Sequence, residues 1–390
     1  MSLLLSPPGS NAERSRAYNR GLVLGHVRRA GASGRAEIAR ASGLSTQAVS
    51  NIIGELVAEG WLYQAGRRKG GRGQPAVTYA IDGKAGVAFG IELRPDAVLC
   101  AVIDLDGQTL HTARAAVSRA TPEHIKPLVQ KLFDTALAET GTPRARVLGA
   151  GVVMPGPFGR TGVSGLSTEL PGWDGIDAVA LFAEALCLPV TVENDANAAT
   201  MFERVSGVAT GLSSYAYLYF GTGIGLGLVS GGVLLRGAFG NAGEIGHIPA
   251  PYQGTLRPLE EIASRMALTA RLRGSGEAAE TVADLERLFG ERHPAMMAWI
   301  EGARPALTHA IHILENIYDP EAVIIGGALP ASLLDHLTRT IELPAASISN
   351  REDRTRPRLL AGTAGRMTAT LGAAALVINQ TLTPSLAPST

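Results

Sequence analysis

Residues 37–62 read EIARASGLSTQAVSNIIGELVAEGWL, and this stretch decides how the N-terminal part of the chain folds. Gly43 stands where a helix over residues 35–42 must stop, because glycine takes the left-handed closing conformation without steric cost. Ser45 then offers a hydroxyl to cap the next helix. In that helix Val49, Ile52, Ile53 and Leu56 fall at i, i+3, i+4 and i+7 and make one apolar stripe, while Gln47, Ser50, Asn51 and Glu55 face elsewhere. Two helices across a glycine turn form a helix-turn-helix. A supporting helix is expected upstream over residues 14–30, where Leu22, Val23, His26 and Val27 share a face. Downstream, residues 61–63 and 77–79 read as short strands around a loop over 64–75 that carries Arg67, Arg68, Lys69 and Arg72. Three helices and a basic hairpin make a winged helix-turn-helix, expected over residues 13–81.

The formal net charge of zero conceals a division. Residues 1–84 hold 12 of the 35 Lys and Arg and 5 of the 35 Asp and Glu, a balance of +7, and the remainder holds 23 against 30, or −7. The small basic part suits a polyanion and the large acidic part does not. Ser45, Thr46, Gln47, Ser50 and Asn51 are therefore candidates to reach base edges. Arg67, Arg68, Lys69 and Arg72 are candidates to hold phosphates or a narrow minor groove.

Composition narrows the remaining classes. A content of 46% hydrophobic and 18% charged residues belongs to a globular chain, not a disordered one. No apolar run reaches the ~18 residues of a membrane span. MSLLLSPPGSNAERSR lacks the basic segment and longer apolar run of a secretory signal, so a cytoplasmic location without a membrane partner is expected. Cys100 and Cys187 are too few for a disulfide framework, and both read as core thiols.

After residue 85 the periodicity changes from helical to extended. Residues 87–93, 98–104 and 109–117 read as strands, the last two joined by Asp106-Gly107, a strong hairpin signal. A helix over 122–138 and a strand over 147–154 follow. From Tyr215 the pattern returns, with strands over 215–220, 225–229 and 232–236, then helices and a strand over 322–325. Two such halves predict a two-lobed α/β domain with a cleft between the lobes.

Four motifs fall in this large part: VENDANAA at 192–199, GTGIG at 221–225, GNAGEIGH at 240–247 and IIGGAL at 324–329. Asn194, Asp195, Glu244, His247 and Glu260 bring five polar groups from three segments, the convergent donors and acceptors that a sugar's hydroxyls require. Asn194 and Asp195 also suit the cap of a helix starting at Ala196. His309 and His312, three apart and near Glu315, read as polar positions on a helix and not as metal ligands.

Taken in order, with LPGW at 170–173 and LEEIAS at 259–264, these motifs resemble the ROK family of sugar kinases and sugar-responsive transcriptional regulators. The resemblance covers about residues 14–380, since the regulator branch also begins with a winged helix-turn-helix. It implies an actin-like ATPase (ribonuclease H-like) fold over 86–380. Lobe one would take about 86–195 with the C-terminal helix 366–380, and lobe two about 196–365. It also implies that the five cleft residues bind the sugar and that, in the kinases, Asp195 is the general base.

Three departures shape the expected function. Family kinases open lobe one with D-x-G-G-T, whose backbone N–H groups meet the nucleotide phosphates, whereas residues 92–96 here are Glu-Leu-Arg-Pro-Asp. Pro95 has no N–H, Arg94 adds bulk and Asp96 adds negative charge. Gly221, Thr222, Gly223 and Gly225 then read as a vestigial nucleotide loop. Family members also follow GEIGH with a cysteine run that binds structural zinc, and IPAPYQGTLRP contains none, so no metal and no cofactor are expected. Finally, Glu169 stands where the family often has Asn beside the sugar site, which would alter ligand preference. These features imply a DNA-binding regulator, a repressor of carbohydrate uptake or catabolism genes, without kinase activity. It would be a homodimer or tetramer partnered by operator DNA and a sugar or sugar derivative. The alternatives are an active sugar kinase fused to a DNA-binding module and a regulator that answers to a protein partner.

Overall fold

The small basic part is built as its periodicity predicts: α1 (Ala12–Ala30), β1 (Ser33–Gly34), α2 (Arg35–Ser42), α3 (Thr46–Ala58), β2 (Leu62–Arg68) and β3 (Ala76–Ile81). The computed structural model describes residues 12–68, 76–156, 158 and 170–383. Gly43 ends α2 at φ 71, its N–H donating to Ala39 O, and the Ser45 hydroxyl accepts from Ala48 N at the start of α3. The predicted stripe of Val49, Ile52, Ile53 and Leu56 is buried against Val23, Val27, Ile38 and Tyr79. The wing differs from expectation in one respect. β2 runs on to Arg68 because it pairs with β3 along its length, through a bulge at Gln64/Gly66, so Arg67 and Arg68 project from a strand and not from a loop tip. Lys69 and Arg72 lie outside the described residues.

A 3-10 turn over Gly83–Ala85 leads into the first lobe: β4 (Val87–Leu93), β5 (Ala97–Asp104), β6 (Thr109–Ala116), α4 (Pro122–Thr140), β7 (Val147–Val153), α5 (Ala178–Leu186) and β8 (Val190–Glu193). The sheet order is β6-β5-β4-β7-β8, an antiparallel meander continued by parallel crossovers. Next comes α6 (Asp195–Ser206), and the second lobe repeats the plan. It contains β9 (Tyr215–Phe220), β10 (Ile224–Ser230), β11 (Val233–Leu234), β12 (Pro249–Tyr252), β13 (Thr255–Pro258), α7 (Leu259–Ala263), α8 (Arg265–Gly274), α9 (Val282–Gly290), α10 (Pro294–Tyr318), β14 (Ala322–Gly327), α11 (Ala331–Thr340) and β15 (Leu359–Ala364). Its order, β11-β10-β9-β14-β15, matches the first sheet strand for strand. The strand expected over 232–236 shrinks to Val233–Leu234, because Arg236 turns away to pair with Glu193 and Gly237 adopts φ 73.

The last helix, α12 (Thr368–Leu382), returns to the first lobe and packs on α6, β4 and β7. Small residues allow this. A Cβ on Gly151 of β7 would overlap the Ala373 carbonyl, and one on Gly372 would overlap that of Ala198 in α6, so backbones meet where side chains would hold them apart. One apolar core runs from α1 and α3 through Ala88, Ile103 and Leu105 to Ala198, Met201, Ala373 and Ile378, joining the small domain to the α6–α12 seam. Cys100 is buried as expected. Cys187 corrects the expectation: it is exposed at φ 50, closing α5, because the helix ends one residue before the chain turns toward β8. Among the described residues no helix is long and apolar enough to cross a membrane.

Candidate functional site

The cleft motifs meet around the start of α6. Asn194 caps that helix, its side chain accepting from Asn197 N at 2.7 Å, and Asp195 Oδ1 accepts from Ala196 N at 2.8 Å. Asn194 alone is thus the cap, since the helix begins one residue earlier than expected, at Asp195, whose second oxygen stays beside Gly221, where an added Cβ would lie 3.0 Å away. Burial, reinforced by the Glu92 carboxylate, pushes the Asp195 pKa up to about 6.

GNAGEIGH supplies the facing wall. Glycines 243 and 246 let this loop lie against the backbone of β10, since a Cβ on either would strike Leu226 O or Ile224 O. Glu244 and His247 project from it, and Glu260 reaches in from α7. His247 Nδ1 lies 3.4 Å from Glu260 Oε1 and Nε2 lies 3.6 Å from Glu244 Oε2, so the imidazole is held between two carboxylates without any metal-binding cysteine. Burial raises the Glu244 pKa, His247 opposes the rise and Glu260 adds to it. Asn194 is buried, Asp195, His247 and Glu260 are half-buried and Glu244 is exposed, and together they offer the donors and acceptors that a polyhydroxylated ring can use. Glu169 lies outside the described residues.

Two contacts clasp the lobes across this cleft, and sequence reasoning missed both. Asn241 pairs with both backbone groups of Phe158, accepting from its N–H and donating to its carbonyl at 2.8 Å each. Arg236 bonds the buried Glu193, which also accepts from Asn197 Nδ2 at 2.9 Å. The partners are 83 and 43 residues apart, beyond the reach of any local pattern.

Residues 92–97 carry a tight turn at the start of the first lobe. Arg94 N and Ala97 O bond at 2.9 Å to make a tight turn over Pro95 and Asp96. The Arg94 guanidinium pairs with Glu92 at 2.6 Å and donates to Arg366 O at 2.9 Å, tying this turn to the segment just before α12. Asp96 does not add a free negative charge, as its sequence position suggested, because Arg114 pairs with it at 2.9 Å. In the GTGIG loop Gly225 packs on Ala196, Gly223 on Glu260 and Gly221 on Tyr219 and Asp195, while Arg265 Nε donates to Gly221 O at 3.1 Å. Thr222 is exposed, and its carbonyl accepts from Met266 N at 3.0 Å. His309 and His312 stand apart from Glu315, whose carboxylate is bound by Arg358 and Ser347. Among the described residues no cluster of three His, Cys, Asp or Glu has the geometry to hold a metal.

On the small domain, Thr46, Gln47 and Asn51 are exposed on α3 and Ser50 is half-buried. Gln47 Nε2 donates to Asn51 Oδ1 at 2.9 Å, leaving one amide oxygen and one amide nitrogen without a partner among the described residues. Ser45 is occupied as the cap. Arg68 is less free than expected, bonding Glu37 at 3.3 Å and Ala32 O, whereas Arg67 is exposed and has no ion pair among the described residues.

Comparison with known proteins agrees with these two parts. Residues 18–73 match the MarR family. The chain is 26% identical to the xylose repressor of Caldicellulosiruptor bescii over 317 residues, 75% of this chain and 78% of that protein. It is also 26% identical to the xylose repressor of Bacillus subtilis over 236 residues, 60% of this chain and 61% of that protein. A crystal structure described as a ROK family transcriptional regulator, homologous to the E. coli Mlc protein, superposes on 95% of this chain and 97% of its own with a TM-score of 0.71 at 22% identity, which establishes the shared fold. Residues 88–380, which carry the two repeated sheets and every cleft motif, match the ROK family, and the chain belongs to it.

Proposed function

We propose that this protein is a sugar-responsive transcriptional repressor of carbohydrate genes, acting in the cytoplasm as a symmetric dimer. α3 enters the major groove with Gln47, Ser50 and Asn51 toward the bases, and the wing lies along the backbone. Asn194, Asp195, Glu244, His247 and Glu260 bind the sugar. The observation that carries this reading is Arg94. Its pair with Glu92 and its bond to Arg366 O tie down the turn that stands where family kinases carry the phosphate-binding motif, while the polyol-binding residues are intact, which supports binding without phosphoryl transfer.

A thermal-shift panel of D-xylose, D-glucose, N-acetyl-D-glucosamine and glucose 6-phosphate, paired with operator binding at each, tests it. At least one member raises the melting temperature and changes operator affinity. ADP release at the ordinary enzymatic rates of about 1 to 1,000 per second would overturn it in favour of a kinase.

The Asp195 carboxylate gives the sugar site a pH dependence. Its ionised form offers acceptors to two hydroxyls, so sugar affinity rises as the pH climbs through about 6 and levels off above it. Asp195→Asn should flatten that profile in calorimetric titrations. The sign for stability is opposite. A carboxylate held above its unfolded pKa of about 4 favours the fold below that value and loses the contribution as the pH passes about 6.

A further inference from the structure

The DNA-binding domain and the cleft share one structural member. α6 begins at Asn194 and Asp195 and runs 12 residues, roughly 18 Å, to Ser206. At that far end Arg28, from α1 of the winged domain, donates from Nη2 to Val205 O at 3.1 Å. The Ser206 hydroxyl donates to Gly107 O at 3.0 Å, and a Cβ on Gly107 would overlap it. Gly107 belongs to the β5–β6 turn, whose Asp106 side chain lies against Gly83 of the interdomain turn. Linker, hairpin turn, α6 and α1 therefore converge at one junction.

Arg28 is poised there at a cost. Its Nη1 is buried without a hydrogen-bond partner among the described residues, and the Arg204 cation acts on it as a like charge. Burial and that repulsion bring the guanidinium pKa down to about 10, and Asp106 only partly offsets them. What holds the cation is the carbonyl end of α6, where the helix presents partial negative charge. Such a contact is sensitive to small displacements, because moving α6 either makes or removes the one side-chain hydrogen bond that the half-buried guanidinium makes among the described residues. The seam with α12 makes α6 stiff: Gly372 admits the Ala198 backbone so closely that neither helix can slide without the other.

We propose that Arg28 is the positioning residue through which α6 carries the state of the cleft to the winged domain, so that sugar at Asp195 alters how the two parts dock. The proposal rests on the reading of the cleft as the effector site. It assigns the coupling to the helix and its arginine, with the chain connection at Gly83–Ala85 serving as a tether.

The test measures operator Kd for the full chain with and without whichever panel sugar gives the largest thermal shift. Wild type should show a coupling factor in the usual range of about 5 to 150. Arg28→Met should bring that factor close to one while the sugar still raises the melting temperature. Arg28→Lys, which can keep one bond to Val205 O, should restore part of it. Ser206→Ala, a milder change at the same junction, should reduce it without loss of folding. A coupling factor unchanged in Arg28→Met and Ser206→Ala overturns the proposal and leaves the effector reading intact. A wild type that no panel sugar stabilises, or whose operator affinity ignores the sugar, overturns the effector reading and the proposal with it.

Discussion

Raising salt from about 50 to about 200 mM should weaken operator binding on the order of a thousandfold, if each winged-domain surface neutralises roughly six phosphates. The cations are at hand: Arg35, Arg40 and Arg67 are exposed on the described surface, and Lys69 and Arg72 follow in sequence. Arg20 is not available, since it is held by Glu59 at 2.6 Å against the body of the domain. Arg67 is the cleanest probe. Arg67→Ala should weaken operator and unrelated DNA about equally and lower the logarithmic salt slope by about 0.9. Arg68→Ala mixes effects, because it also releases Glu37. Gln47→Ala should behave oppositely, with discrimination at one base pair falling by about 1 to 3 kcal/mol and the salt slope unchanged. Binding that ignores salt would remove this surface from consideration.

The second large effect lies in the cleft. Asp195→Ala and Glu244→Ala should each weaken sugar binding about a hundredfold, since each deletes charge-assisted hydrogen bonds of about 1.5 to 3 kcal/mol apiece. Folding should survive, because Asn194 retains the α6 cap and Glu244 projects from a loop with 42% of its side chain exposed. Both variants should bind operator as tightly as wild type and fail to respond to sugar. Linkage adds a demand that no packing defect would mimic: operator must change wild-type sugar affinity by the same factor that sugar changes operator affinity. A complete switch between competent and incompetent states takes a differential affinity of about 10⁴, or ~5.5 kcal/mol. Normal sugar binding by these variants, or independent sugar and DNA affinities, would shift the effector site elsewhere.

Local rules made much of this legible. Gly43, Ser45 and the stripe from Val49 to Leu56 specify their helices through caps and period, and the same residues do so in the structure. The repeated meander was readable because β4, β5, β9 and β10 each carry their own apolar run and turn. What escaped were contacts made across the chain. Arg68 reads as a free wing cation until Glu37, 31 residues earlier, takes it. Arg94 reads as an obstruction, while its bond to the Arg366 carbonyl, 272 residues on, depends on tertiary closure. The strand expected over 232–236 lost its end to Glu193 for the same reason. His247, expected without a metal, lies beside two carboxylates, Glu244 and Glu260, both already among the cleft candidates, but their approach to its two ring nitrogens depends on how the loop and α7 pack.

The position of α12 sets the order in which a growing chain can close its core. This helix covers one face of the first-lobe sheet and packs on α6, yet its residues are the last of the described helices and strands to be made. At about 5 to 20 residues per second, the ribosome takes on the order of a quarter of a minute to a minute to go from β4 to α12. Through that interval Gly151 and Ala198 lack the helix that seats against them. A nascent or truncated chain therefore leaves α6 and the first-lobe sheet with their α12-facing surfaces uncovered, along with the edge of the small domain that shares that core.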